Sequence, residues 1–168
     1  MNGVLAIIFR LAVVLLGYIG AALASSAFIN ILALGALGAE PGDPVATASL
    51  VFMIPFMALF VAYFAFFPSL LVIFFTEYLG KRDWLTHAIG GGVVALTVVG
   101  FALGGGDVLR AGAGEGFELH WLSLEDPRTA LLLVGAGLVG GIAYWLIAGR
   151  SAGNWRQNAD LPPSAPAP

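Results

Sequence analysis

The chain has 168 residues, 60% of them hydrophobic and only 10% charged, with a net charge of −3 and a mean hydropathy of +0.95. Soluble domains carry about 25% charged residues, so this composition excludes a water-soluble globular fold and a disordered chain alike. Seven Lys and Arg against ten Asp and Glu leave no basic footprint for nucleic acid. The class that remains is an integral membrane protein.

A membrane helix needs ~20 mostly apolar residues to cross a ~30 Å hydrocarbon core. Four stretches meet this requirement, at about 11–37, 45–78, 84–103 and 129–149. Lipid forces each backbone N–H and C=O to find a partner inside its own segment, and these continuous runs do not alternate as barrel strands do. The expectation is therefore an all-α integral membrane four-helix bundle over 1–156, followed by a disordered Pro-rich tail over 157–168.

The first span could begin as early as Val4, with Arg10 snorkelling to the membrane surface. Its start also has a second reading. LAVVLLGYIG followed by AALASSA resembles a signal-peptide core with a small-residue cleavage site, although no basic region precedes it. Cleavage near residue 24 would leave three spans. Deep in the first span lies Asn30, whose amide needs partners. It is expected either to hydrogen-bond across helices or to touch a ligand.

The second span opens at Asp43-Pro44, where Asp can cap the first turn and Pro tolerates the first helical position. It contains Pro55 and Pro68, and kinks are expected near both. One long helix is the main reading, and a span plus an interfacial piece after Pro68 is the alternative. Phe52, Phe56, Phe60 and Phe64 recur every four residues and form one ridge, widened by Tyr63. Such a ridge serves either lipid contact and packing or a groove for a flat apolar ligand such as lipid or quinone. In that second case Asn30, Phe56, Phe60 and Tyr63 are the candidate binding residues.

The loop between the second and third spans carries Glu77, Lys81, Arg82 and Asp83, with His87 just beyond. Glu77 and His87 are read as a solvated charge cluster, the alternative being a carboxylate and an imidazole that shuttle protons. In the third span, Ala88, Gly92, Leu96 and Gly100 follow four-residue steps. In the fourth, Gly137 and Gly141 form a GxxxG pair. Small residues let helix backbones approach closely in lipid, so Gly92, Gly100, Gly137 and Gly141 are the expected helix-packing positions. Such Gly-rich faces also suit another membrane protein or a second copy of the chain. Between these spans, Glu115, Glu118 and His120 show no ligand spacing specific to a metal. Asp126-Pro127 is expected to cap the fourth span.

Five of the seven basic residues fall on the side of the two termini, which orients the chain N-in and C-in. The sequence has no Cys and only two His, and it lacks P-loop, HExxH and GxSxG patterns. No catalytic residue, metal or cofactor is therefore assigned. The expected class is a non-enzymatic accessory, scaffold or assembly component. The alternative is a small homo-oligomeric transporter or channel, or a carrier of an apolar ligand.

The segment GGIAYWLIAGRSAGNWR at 140–156 resembles the C-terminal ends of small inner-membrane proteins of alphaproteobacteria. The resemblance implies a bacterial inner-membrane location and carries no activity or site residues with it.

Overall fold

A computed structural model describes residues 3–36, 38, 42–104 and 127–152. Four helices account for nearly all of them: α1 (Gly3–Ala36), α2 (Pro44–Leu79), α3 (Trp84–Gly104) and α4 (Pro127–Ile147). A short 3-10 turn, Gly149–Ser151, follows α4. All four helices are long and apolar enough to cross a membrane, so the chain is a multi-pass membrane protein, all-helical among the described residues. The expected cap at Asp126, the Glu115, Glu118 and His120 group and the Pro-rich tail lie outside the described residues.

The helix boundaries follow local chemistry. α1 starts at Gly3, eight residues before Leu11, because 4–9 extend the apolar run and Arg10 finds partners inside the protein. At α2, the Asp43 side chain accepts from the Val45 N–H at 2.9 Å, and Pro44 occupies the first turn. The helix then runs unbroken through Pro55 and Pro68 to Leu79, which removes the two-piece reading. With 36 residues it measures about 54 Å, well beyond the hydrocarbon core. Gly80 ends it at φ 61°, a left-handed conformation that only glycine adopts without strain. The Gly80 and Lys81 N–H groups close the last turn on Glu77 O (3.2 Å) and Thr76 O (3.0 Å). Three residues later Asp83 caps α3 by accepting from the Thr86 N–H at 2.8 Å.

α4 is the hub. On one edge its backbone lies against α3. A Cβ on Gly141 would strike the His87 carbonyl oxygen and sit 2.9 Å from its carbon and 3.0 Å from Ala88 Cα. A Cβ on Gly137 would strike the Gly91 carbonyl, and one on Gly91 would strike the Gly137 carbonyl. The contacting face of α3 is thus Ala88, Gly91 and Ala95. Gly92 is buried beside them, where a Cβ would lie 3.2 Å from the Leu138 side chain of α4, whereas Gly100 faces open space. Of the two expected positions on α3, Gly92 packs against α4 and Gly100 does not. Four residues turn a helix through about 400°, so each four-residue step from Ala88 drifts roughly 40° off the seam. By Gly100 the drift is about 120°.

The other edge of α4 meets α1. A Cβ on Gly17 would lie 2.8 Å from Ala148 Cβ and 3.1 Å from the Tyr144 ring. Ser25 Oγ donates to the Ala136 carbonyl at 2.8 Å. α2 joins more loosely, through Ser26 Oγ to Ile54 O (2.7 Å), Tyr18 Oη to Ala62 O, and Val72 against Gly90. Of its 36 residues only Ala58 and Thr76 are buried.

Candidate functional site

Polar chemistry concentrates at the end of the bundle where α1 begins, α2 ends, α3 begins and α4 ends. Its centre is Arg10. The apolar sequence around it places Arg10 two turns into α1, where water cannot reach it freely. It is 16% exposed, and so is the Glu77 side chain with which it pairs. The guanidinium uses its fork of donors on three residues. Nε donates to Glu77 Oε2 at 3.2 Å, and Nη2 donates to Glu77 Oε1. Nη1 donates to Ser151 Oγ at 2.6 Å, and Nη2 also reaches the Ala148 carbonyl at 3.2 Å. One side chain therefore ties α1 to the end of α2 and to the turn after α4. The expected snorkelling of Arg10 is replaced by internal pairing, because Glu77 and two α4-end acceptors satisfy the charge more closely than the interface would.

Beside this brace sits His87, 3% exposed. Its Nδ1 lies 2.9 Å from the Asp83 carbonyl oxygen, which can only accept, so Nδ1 carries the hydrogen. Nε2 has no hydrogen-bond partner among the described residues. The ring stacks on Tyr144 with centroids 5.7 Å apart and planes inclined by 21°. The Tyr144 hydroxyl is likewise buried without a partner there. Gly149 closes the far side, since a Cβ at that position would sit 2.8 Å from His87 Nε2. Gly17 and Gly149 thus admit the two rings, and the imidazole serves as a packing plate under the α4 end.

This overturns the reading of Glu77 and His87 as a solvated cluster. Glu77 goes to Arg10, and His87 is buried against Tyr144. Asp83, in contrast, is fully exposed. Hydrogen bonds from the Thr86 hydroxyl and N–H, and then the nearby Lys81 charge, hold its carboxyl below the usual carboxylate range.

The second candidate region does not come together as expected. Asn30 Nδ2 donates to Ser26 O at 2.9 Å and to Ser26 Oγ at 3.3 Å, both one turn back in its own helix. The interhelical bonds expected of Asn30 are made by Ser25, Ser26 and Tyr18 instead. Phe56 and Phe60 touch edge-to-face at 5.1 Å and are 57% and 48% exposed. An open depression of about 530 Å³ lies nearby, lined by Tyr18, Leu59, Ala62, Tyr63, Phe66 and Phe67 among others. It includes Tyr63 but not Asn30, Phe56 or Phe60.

Sequence reasoning passed over Ser151 and Tyr144 and treated Arg10 as a surface charge. One signal pointed to Arg10: a lone cation inside an apolar run needs an acid, and Glu77 is the acid at the matching depth. Nothing local marked Ser151 or Tyr144. No protein-family model, curated protein or solved structure matches the chain.

Proposed function

We propose that this protein is a non-enzymatic component of a bacterial inner membrane that acts as an accessory, scaffold or assembly subunit. The observation that carries the reading is the asymmetry of the bundle. α1, α3 and α4 pack through small residues and buried serines, whereas α2 has only Ala58 and Thr76 buried over 36 residues. A helix of that length, faced with Phe52, Phe56, Tyr63 and Phe67 at 57–77% exposure, offers a long lateral surface to a membrane partner. The cross-brace of Arg10, Glu77 and Ser151 holds α2 at one end and leaves its aromatic length outward. Purification of the full chain from its native membrane in mild detergent, followed by mass spectrometry, tests the proposal. A stoichiometric membrane partner that is lost when Phe56 and Tyr63 are replaced by Ala supports it. A lone species carrying a co-purifying lipid or quinone refutes it in favour of the carrier alternative, for which the depression at Tyr18, Ala62 and Tyr63 is the favoured seat.

The proposal includes N-in, C-in topology with the first helix retained, because α1 supplies Arg10, Gly17 and Ser25 to contacts with α2 and α4. Reporter fusions after Arg82 and after Arg156 are expected to read cytoplasmic, and one near Gly114 periplasmic. A periplasmic signal after Arg156 overturns the orientation.

A further inference from the structure

The same end of the bundle carries an excess of positive charge. The described residues there include four cations, Arg10, Lys81, Arg82 and Arg150, and two carboxylates, Glu77 and Asp83. Both carboxylates are committed, Glu77 to Arg10 and Asp83 to the first turn of α3. Trp145 gathers the remaining charge into one place. Its Nε1–H donates to the Arg82 carbonyl at 2.7 Å, and the Arg150 guanidinium lies over its ring at 4.6 Å from the centroid. Arg82 Nε donates in turn to the Ala152 carbonyl at 2.9 Å, which pins the α2–α3 turn to the chain after α4. Lys81 adjoins this turn. Among the described residues, neither the Lys81 ammonium nor the Arg150 guanidinium makes a hydrogen bond or ion pair.

We propose that Lys81, Arg150 and Trp145 form an interfacial site for the headgroup of an anionic phospholipid in the adjoining leaflet. The Arg150 guanidinium over the indole belongs to an exposed residue, and a guanidinium fork can take a phosphate bidentately. Lys81 adds a second charge on an adjustable stem. Exposed Tyr78 and Trp84 stand three residues to either side of Lys81 in the chain, and such aromatics are enriched at membrane interfaces. Exposed Leu85 and Ile89 on α3 and Leu146 on α4 continue apolar surface away from the charges, where acyl chains lie. That continuity favours a lipid over a free anion. The proposal needs only that the chain spans a membrane, so it stands or falls separately from the accessory function.

The test reconstitutes the full chain in mixed phosphatidylcholine–phosphatidylglycerol vesicles, extracts it in mild detergent and quantifies the lipid that stays bound. Phosphatidylglycerol is expected to be enriched over its bulk share. Each charge removed by Lys81→Gln or Arg150→Gln is expected to lower the enrichment by roughly fivefold at low salt, since a basic residue near an anionic surface contributes ~1 kcal/mol. Arg150→Lys, which keeps the charge, is expected to retain most of it. Absence of enrichment, or equal enrichment in Lys81→Gln/Arg150→Gln, overturns the site. Displacement by excess inorganic phosphate overturns the lipid assignment in favour of a free-anion site. Equal loss in Arg150→Lys and Arg150→Gln shows that packing, not charge, is responsible, and also overturns it. Among the described residues the Lys81 side chain makes no hydrogen bond or ion pair, so Lys81→Gln decides the matter if Arg150 variants fail to fold.

Discussion

Replacing Gly141 with Ala adds one methyl group at the tightest point between α3 and α4. That carbon would collide with the His87 carbonyl oxygen and lie 2.9 Å from His87 C and 3.0 Å from Ala88 Cα. Carbon–carbon contacts settle near 3.5–4.0 Å, so the helices must part by roughly 0.5–1 Å. All three obstructing atoms are backbone, and none can rotate aside. A gap of that size forfeits about a quarter to a half of each attractive contact along the seam, and overpacking of this kind costs ~1–3 kcal/mol. Lipid does not restore it, because acyl chains solvate separated apolar faces equally well. Alanine also favours a helix over glycine by ~1 kcal/mol, which would mask part of the loss. Gly100→Ala supplies the correction, since its Cβ would meet nothing within 4 Å while gaining the same propensity. The difference between the two variants isolates the seam. Denaturant or thermal unfolding of both proteins in the same micelle, followed by far-UV circular dichroism, measures it. Gly141→Ala is expected to be less stable than Gly100→Ala by ~1–3 kcal/mol. If the two are equally stable, the α3–α4 backbones do not approach as described and the reasoning fails.

Arg10→Gln leaves the Glu77 carboxylate nearly buried without its main partner and is expected to cost about 2–3 kcal/mol, below the 3–5 of a fully buried pair because both groups retain some solvent. Arg10→Gln/Glu77→Gln is expected to recover most of that loss in the same unfolding assay, and a double variant no better than the single one would count against the pair. Ser25→Ala and Ser26→Ala each remove an interhelical hydrogen bond and are expected to cost ~0.6–1.7 kcal/mol, whereas Asn30→Ala, bonded only within α1, is expected to cost less than either. A larger loss at Asn30 would show that its amide serves another helix or a ligand. Asp83 is held below its usual pKa in the folded state, so its cap contributes fully above the unfolded value, ~3.9, and is lost as pH falls through the lower folded value. Wild type is therefore expected to exceed Asp83→Ala in melting temperature at pH ~6 and to lose that margin below pH ~4; a margin that persists in acid would refute the cap.

The sequence alone determined the membrane class, the number of helices and most of their ends. These are local properties: a run of apolar residues long enough for the hydrocarbon core and an Asp-Pro start at 43–44. Each can be read without knowing what lies across the bundle. Tertiary structure decided which side chains meet. The packing face of α3 is Ala88, Gly91, Gly92 and Ala95 but not Gly100, because helical phase accumulates along a span and four-residue spacing leaves the seam after a few turns. Asn30 folds back on its own helix while the shorter Ser25 and Ser26 reach across, because close backbones leave room only for short donors. Glu77 and His87 separate because Arg10, 67 residues earlier in the chain than Glu77, competes for the carboxylate, and because Gly17 and Gly149 open a slot for stacked rings. Periodicity describes one helix at a time, whereas charge pairing and burial depend on the relative rotation of four, and only the packed bundle sets that rotation.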